Sequence, residues 1–262
     1  RVARTQASFD VLKTRVSLTQ PGLRHRTARR PKTMNDLRAY FEANPGRMIH
    51  KWRHYFEIYE RYLARYRNQE VVLVEIGVYQ GGSLQMWKHY LGARATIWGI
   101  DVNPLCKDFG EDQINIRIGD QRDRTFLNSL AAEIPCIDVL IDDGGHTMRE
   151  QRVTFQVLFP KIADDGIYIC EDLHTSYWPE YGGGHLNPYS FIEFSKNLID
   201  RLHAWHSRQP QSLAESNFTR SAYALHYYDS MLVIEKRQRQ PPQDHRTGTR
   251  TIPDEAFPPP KP

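Results

Sequence analysis

Two pairs of acidic residues and a histidine stand where side chains could do chemistry. Asp143 ends the apolar run I-D-V-L-I-D-D, and His146 follows it after two glycines. Glu171 and Asp172 end a second apolar run, G-I-Y-I-C-E-D. Carboxylate oxygens are the ligands that Mg²⁺ prefers, so Asp143, Glu171 and Asp172 could share one magnesium ion. His146 could accept a proton beside that ion, because an unperturbed histidine has a pKa of about 6.5.

Single acids accompany three other apolar runs. Glu75 lies within the first run, Asp101 ends the second, and Asp120 lies with Gln121 just beyond the third. Like charges that lie close together make one another harder to ionise. If the runs are neighbouring strands, a purely structural role hardly explains a row of carboxylates at their ends. Such a row instead suits the binding of cations or of ribose hydroxyls. Asp142 belongs to the same row, and its role stays unassigned.

A glycine-rich turn follows the first apolar run. It reads E-I-G-V-Y-Q-G-G-S at 75–83, and a helix is predicted to start at its end. Glycines let the backbone approach a ligand closely, and the first turn of a helix offers free N–H groups. The spacing matches neither a dinucleotide-binding G-x-G-x-x-G motif nor a phosphate-binding P-loop. Asp101 is placed to bind both ribose hydroxyls of a nucleoside, although it could instead cap a helix before Pro104.

The apolar runs are predicted to be strands because they are short, continuous and bounded by turn residues. Helical patterns separate the first five, which indicates βαβ units in a doubly wound, mainly parallel sheet of the α/β class. The last two runs are close enough to pair as a C-terminal antiparallel hairpin. The seven expected strands cover 71–77, 95–101, 114–118, 137–143, 166–172, 222–228 and 231–235, and the expected helices between them cover 83–90, 125–132, 149–159 and 189–205. Ligands of such sheets bind beyond the carboxyl ends of the strands, where the acids lie.

Two helices are predicted before the sheet. One begins with Asn35 as its N-cap and ends at Asn44, and the other covers 48–66, where aromatic residues recur at helical spacing. The chain is therefore divided into a disordered basic tail at 1–31, N-terminal helices at 32–68, a cofactor-binding domain at 69–236 and a disordered Pro-rich tail at 237–262.

Charge is unevenly distributed along the chain. Residues 1–31 carry eight Lys and Arg against one acid, and residues 236–262 carry six against three. Because the whole chain has a formal charge of +4, the part between them is acidic. Nucleic-acid binders usually carry their basic patch on the folded domain, so no nucleic-acid partner is expected. The basic start is interpreted as a solvated tail or expression-derived sequence, with an organellar transit peptide as the alternative.

Composition indicates a globular protein without a membrane span. Hydrophobic residues make up 40% and charged residues 25%, which are ordinary values for a folded domain. The sequence shows neither a run of about eighteen apolar residues nor an apolar leader. The three cysteines, Cys106, Cys136 and Cys170, form no C-x-x-C pair, so we expect buried, reduced thiols in a cytoplasmic protein.

Four motifs resemble the magnesium-dependent, class I sugar O-methyltransferases that act on deoxysugars of macrolides and related natural products. They are V-E-I-G at 74–77, I-D-D-G-G-H at 141–146, E-D-L-H-T-S-Y-W-P-E-Y-G-G-G at 171–184, and D-R-L-H-A-W-H at 200–206. The mycinamicin, macrocin and rhamnosyl O-methyltransferases belong to this group. The resemblance covers about two-fifths to half of the chain. The resemblance implies a Rossmann-like, S-adenosylmethionine-dependent methyltransferase domain over residues 69–236.

By this resemblance, S-adenosylmethionine and Mg²⁺ are the cofactors. Asp143, Glu171 and Asp172 would bind the metal, and His146 would be the general base. The metal would hold two neighbouring sugar hydroxyls, and His146 would take the proton of the one that attacks the methyl group. A homodimer or higher homo-oligomer is also implied. The cofactor would lie against Glu75, Gly77, Gly81, Ser83, Asp101, Asp120, Gln121 and Asp143.

The acceptor and some rival functions stay open. Macrolide enzymes carry a sizeable extra N-terminal domain where this sequence shows two helices and a tail, so a rhamnosyl lipid, a mannoside or a polysaccharide end is an equal alternative. A non-sugar small-molecule O-methyltransferase is another. A non-haem iron hydroxylase could use Asp143, His146 and His174 as its triad. A nucleic-acid methyltransferase and a non-catalytic binding module on the same fold are the remaining alternatives.

Overall fold

One seven-stranded sheet forms the centre of the structure, a computed structural model that describes residues 36–253 and Ala256. Its strands are β1 (Val71–Ile76), β2 (Ala95–Asp101), β3 (Ile114–Ile118), β4 (Ile137–Asp142), β5 (Ile162–Cys170), β6 (Ala222–Tyr228) and β7 (Met231–Lys236). Their order is β3-β2-β1-β4-β5-β7-β6. The first five strands are parallel, and β7 is antiparallel to β5 and β6. The predicted doubly wound sheet with a C-terminal hairpin is therefore confirmed.

Helices connect the strands and cover both faces of the sheet. The helices are α1 (Asp36–Ala43), α2 (Tyr55–Leu63), α3 (Gly82–Leu91), α4 (Arg124–Glu133), α5 (Met148–Leu158), α6 (Phe191–Leu202) and the short α7 (Asn217–Ser221). Short 3₁₀ helices lie at Ala64–Tyr66, Pro104–Phe109, Phe159–Lys161, Leu173–Tyr177, Pro179–Tyr181 and Ala204–His206.

The hydrophobic core lies in two layers, because successive strand residues point to opposite faces of a sheet. On one face, α1, α2 and α3 pack against the sheet around Tyr59 and Trp87. On the other face, α4, α5 and α6 pack around Phe155 and Phe191. Burial on both faces explains why strands such as β1 are almost continuously apolar in sequence.

The second N-terminal helix begins later than the sequence pattern predicts. A helix was expected over 48–66, but α2 starts at Tyr55 and residues 48–52 have no helical structure. This stretch instead lies against the start of α3, where a Cβ atom on Gly82 would come within 2.3 Å of the carbonyl oxygens of Arg47 and Met48. Tertiary packing thus overrides the local helical pattern.

Several predictions concern the termini and the cysteines. Residues 1–31 and Asn35 lie outside the described residues, and residues 237–253 form neither helix nor strand. Cys106 and Cys170 are buried, but Cys136 is exposed at the start of β4, so burial of all three thiols was a wrong prediction; none of the three is in a disulfide. Across the described ranges, the helices are too short or too polar to cross a bilayer.

Candidate active site

The carboxyl ends of three neighbouring strands bring the predicted acidic residues together. In the sheet register, Ile76 of β1 lies beside Asp142 of β4, which lies beside Cys170 of β5. Two backbone hydrogen bonds continue this alignment past the strand ends: Asp143 donates to Ile76 and Glu171 donates to Asp142, each at 2.9 Å. The side chains that follow β4 and β5 therefore meet at one edge of the sheet, as the strand order requires.

Three possible metal ligands converge at this edge. Asp143, His146 and Asp172 each offer a ligand atom, and these atoms lie within 4.8 Å of one another. His146 Nε2 lies 3.8 Å from Asp143 Oδ1 and 3.5 Å from Asp172 Oδ2. Two hard carboxylate oxygens suit Mg²⁺, which keeps free positions for water or substrate. The donor set therefore fits the predicted ion.

Local backbone geometry directs His146 into this cluster. Its φ of +56° is unusual for a residue with a side chain, and the strain of such a conformation is often found at functional sites. Thr147 then caps α5 in a capping box with Glu150, and Thr175 Oγ1 donates to the His146 carbonyl at 3.0 Å. Burial lowers the pKa of His146 below its ordinary value. The imidazole is therefore neutral at pH 7 and able to accept a proton.

Asp172 is fixed by a tyrosine from the N-terminal helices. Its φ is +55°, and Tyr55 donates its hydroxyl to Asp172 Oδ1 at 2.8 Å while accepting the Asp172 backbone N–H at 3.2 Å. His174 does not join the cluster: its Nδ1 lies 2.5 Å from Ser230 Oγ. This arrangement gives no support to an iron triad of Asp143, His146 and His174.

Glu171 faces a lysine that the sequence analysis overlooked. Lys51 Nζ lies 3.1 Å from Glu171 Oε1, 2.6 Å from Asp143 Oδ2 and 3.1 Å from Glu75 Oε1. Tyr59 also donates its hydroxyl to Glu171, at 2.6 Å. Burial alone would lower the pKa of Lys51, but the three carboxylates raise it well above its ordinary value. The ammonium therefore stays charged inside the protein.

A cavity of about 470 Å³ lies beyond the strand ends, a volume typical of sites for small molecules and cofactors. It reaches from the glycine turn after β1 to the Asp143–His146–Asp172 cluster. Five of the eight residues predicted to bind the cofactor line it, namely Gly77, Asp101, Asp120, Gln121 and Asp143.

The lining residues differ in how they are held. Asp101 Oδ2 accepts the backbone N–H groups of Val78 and Tyr79, at 2.9 and 3.0 Å, and so shapes the glycine turn. Asn103, rather than Asp101, caps the following 3₁₀ helix. Asp120 pairs with Arg122, whose hydrogen bonds lower the pKa of the carboxyl.

Gln121 and Asp142 form a buried link between β3 and β4. Gln121 donates its amide to Asp142 Oδ1 at 3.1 Å and accepts the Gly145 N–H at 2.9 Å. Tyr168 donates to the other Asp142 oxygen at 3.2 Å. Burial raises the pKa of Asp142 to about 6. Asp142, unassigned from sequence, thus holds Gln121 in place at the cavity wall.

The other three predicted cofactor residues lie behind the cavity. Glu75 is fully buried and accepts the Ser83 hydroxyl at 2.6 Å, which ties β1 to the first turn of α3. Gly81 caps α3 in a left-handed conformation with φ of +76°, against the ring of Phe109. In this arrangement, Glu75, Gly81 and Ser83 support the glycine turn from behind the cavity wall.

Gly77 is the turn residue for which a substitution should be most harmful. Its φ is +96°, and a Cβ atom there would lie 1.9 Å from the Asp143 carbonyl oxygen. We expect Gly77→Ala to lose about 3 kcal/mol of unfolding free energy in urea and to weaken cofactor binding. Gly248→Ala is the matched control, because Gly248 also has a positive φ but has open space around it. Equal stability losses in the two variants would contradict the steric argument.

Three functional residues escaped the sequence analysis: Lys51, Tyr55 and Tyr59. The tyrosines belong to the aromatic pattern that predicted a helix over 48–66; their rings are buried in the core, while their hydroxyls bind Asp172 and Glu171. One signal was available, because the strand-end acids carry more negative charge than one divalent ion neutralises. The identity of the compensating cation had no local signal, since Lys51 lies 92 residues from Asp143 and 120 from Glu171.

Comparison with known proteins identifies the domain around this cavity. Residues 74–173 match the family described as a methyltransferase domain. Demethylmacrocin O-methyltransferase of Streptomyces fradiae is 38% identical over 195 residues, which cover 68% of this chain and 47% of that protein. Mycinamicin VI 2''-O-methyltransferase of Micromonospora griseorubida is 34% identical over 191 residues, with the same two coverages. The chain spans about half the length of the curated relatives it matches.

Solved structures give the same result. The MycE methyltransferase from the mycinamycin biosynthetic pathway, in complex with Mg and SAH, superposes with a TM-score of 0.70 at 30% identity. The superposition covers 80% of this chain and 55% of that one. Its complex with Mg, SAH and mycinamycin VI superposes with a TM-score of 0.67 at 31% identity, over 80% and 54% of the two chains.

Proposed function

Because this chain carries a methyltransferase domain and is related to the sugar O-methyltransferases that its motifs resemble, we propose that it is an S-adenosylmethionine-dependent, Mg²⁺-assisted O-methyltransferase acting on a sugar hydroxyl. One observation carries the proposal. The Asp143–His146–Asp172 cluster opens onto the same cavity as Asp101 and Gln121. A nucleoside cofactor and a metal-assisted acceptor would therefore meet in one cavity.

The side chains of the cavity support a division of labour. Asp101 offers its carboxylate to the ribose, and Gln121 and Asp120 lie where the adenine would bind. Asp143 and Asp172 supply carboxylate oxygens to Mg²⁺, with Glu171 as a further candidate ligand that Lys51 and Tyr59 hold nearby. When bound, Mg²⁺ would hold neighbouring sugar hydroxyls and make one of them more acidic. His146 Nε2, between Asp143 and Asp172, takes the hydroxyl proton.

The assignment of His146 as the base requires one particular tautomer of its ring. Nδ1 is buried and has no hydrogen-bond partner among the described residues, whereas Nε2 faces the two aspartates. A neutral imidazole needs one protonated nitrogen and one that accepts. With Nδ1 as the protonated atom, Nε2 is the acceptor and points to the place where the sugar hydroxyl would lie.

Exposed aromatic rings beside the cavity suit a sugar acceptor. Trp52 lines the cavity and its ring packs edge-on against His174, at 5.8 Å between centroids. His174 in turn packs against Trp178, at 4.7 Å. Trp52 and Trp178 remain 53% and 43% exposed, so part of each side chain is available to a ligand. Aromatic side chains bind the apolar faces of sugars while leaving the hydroxyls free for polar partners.

A labelled-methyl screen tests the proposed function. Protein is incubated with Mg²⁺, S-adenosylmethionine carrying a deuterated methyl group, and a panel of rhamnosides, mannosides and macrolide glycosides. We expect at least one glycoside to gain the labelled methyl group on a sugar oxygen, as read by mass spectrometry and fragmentation. Matched non-sugar phenols and catechols serve as the comparison. Methylation of these alone would refute the sugar acceptor but keep the methyltransferase activity.

A further inference from the structure

Lys51 lies at the centre of the acidic cluster and is almost completely buried. Its side chain is 2% exposed, and the side chains of Glu75 and Glu171 are 0% and 1% exposed. An ammonium group has three N–H donors, and here three carboxylates accept them. The hydrogen-bonding capacity of Lys51 is therefore used in full within the protein.

We propose that Lys51 is a built-in cation that occupies the position of a second metal ion and restricts the site to one Mg²⁺ beside Asp172 and His146. The proposal rests on the proposed function in one respect, namely that the Asp143–His146–Asp172 cluster binds Mg²⁺. It assigns Lys51 a positioning role, because the three N–H donors of its ammonium are taken by the carboxylates it holds.

The geometry of Asp143 supports this role. In two-metal sites the ions lie about 3.5–4 Å apart, so one carboxylate can bind both. Asp143 has the equivalent position here: its Oδ2 accepts Lys51 at 2.6 Å, while its Oδ1 lies 3.8 Å from His146 Nε2 in the candidate metal cluster. Lys51 thus lies on one side of a shared carboxylate, and the candidate Mg²⁺ position lies on the other.

The charges of the cluster lead to the same conclusion. Four carboxylates meet here, from Glu75, Asp143, Glu171 and Asp172, and one divalent ion balances only two of them. Uncompensated buried charges are costly, so each carboxylate beyond those two needs a further cation or a proton. A lysine supplies that charge without the open coordination positions of a metal ion. Sugar oxygens are therefore directed to the Asp172 side, beside the base.

The irregular segment before α2 delivers this cation. Residues 48–52 have no helical structure, and their N-terminal part lies against Gly82 at the start of α3. Tyr55 and Tyr59, on the first two turns of α2, bind Asp172 and Glu171. The N-terminal segment therefore contributes the cation and two hydrogen-bond donors to the cluster.

Replacing Lys51 with methionine tests the proposal by metal binding and melting. The full chain is first mixed with S-adenosylhomocysteine, and Mg²⁺ is then titrated into it by calorimetry. The melting temperature is measured separately in EDTA and in excess Mg²⁺. We expect about one ion per wild-type chain and two per Lys51→Met chain. In EDTA the variant should melt about 10 °C below wild type, because its carboxylates lose their cation, and excess Mg²⁺ should recover most of that loss.

A second buried lysine provides the matched control. Lys236 is also almost fully buried, but its ammonium donates to the backbone carbonyls of Phe159 and Ile162. Lys236→Met should lose stability to the same extent in EDTA and in Mg²⁺, and should bind one ion. If Lys51→Met behaves in this way, or melts like wild type, Lys51 only fills space and the proposal is wrong.

A double variant covers the case in which Lys51→Met does not fold without metal. Glu171→Gln removes one carboxylate, so Lys51→Met with Glu171→Gln should melt closer to wild type in EDTA than Lys51→Met alone. A double variant that is no more stable than the single one would overturn the proposal. Absence of Mg²⁺ binding to the wild type is a separate outcome: it would refute the metal site of the proposed function, while melting in EDTA still tests the charge balance.

Discussion

Replacing His146 with alanine should lower turnover by about 10²–10⁴-fold, the usual contribution of a general base, while cofactor affinity stays close to that of wild type. The separation is expected because His146 lies with Asp143 and Asp172 in the candidate metal cluster, whereas Asp101, at the end of β2, binds the backbone of the glycine turn. Turnover is measured with saturating glycoside, and affinity by calorimetric titration with S-adenosylmethionine. A large loss of cofactor affinity in His146→Ala would contradict the assignment as a base.

The pH profile gives a second measure of the same residue. Burial lowers the pKa of His146, so the base should remain unprotonated to pH values below 6.5, and the acid limb of kcat should lie there. The sign follows from the mechanism, since activity needs the neutral imidazole and is lost as the pH falls through its pKa. His226→Ala serves as the control, because His226 lies on the edge strand β6, pairs with Glu235 of β7 and is outside the cavity. An acid limb well above pH 6.5 would require another titrating group.

The parts of the site that sequence could predict are those fixed by strand topology. A short apolar run such as β1 has one arrangement that buries both faces, and parallel order then brings the ends of β1, β4 and β5 to one edge. The acids beyond those ends, such as Asp143 and Asp172, could therefore be located without any knowledge of side-chain contacts.

The parts that sequence could not predict depend on long-range packing. Residues 48–66 have an aromatic pattern that fits one long helix, and no local feature indicates that the helix should begin only after Lys51, at Tyr55. The later start of α2 is favoured by a cluster of buried charges at the ends of β1, β4 and β5, and this cluster exists only in the folded chain. For the same reason, the support of the glycine turn by Glu75 and Ser83 from behind the cavity was not apparent, although both residues were identified.

Replacing Asp143 with asparagine should remove the dependence on Mg²⁺, and this is the second large effect we expect. Asp143 lies in the candidate metal cluster through Oδ1 and binds Lys51 through Oδ2. Loss of its charge should weaken Mg²⁺ binding by at least about 100-fold, because changes to residues that merely support metal ligands already cost 10–100-fold. Asparagine keeps an oxygen that can accept the Lys51 N–H, so the loss of folding stability should be smaller than for a side chain without an acceptor.

The comparison that decides the matter is between rates with and without EDTA. In wild type, EDTA should remove most methyl transfer and Mg²⁺ should restore it; in Asp143→Asn the residual rate should be the same in both conditions. Asp138→Asn, at the opposite end of β4, should keep the full response to EDTA, because its carboxylate accepts the Val72 N–H and does not line the cavity. A wild-type rate that EDTA leaves unchanged would remove the metal from the mechanism. The carboxylates of Asp143 and Asp172 would then position and stabilise the imidazolium that His146 becomes when it takes the proton.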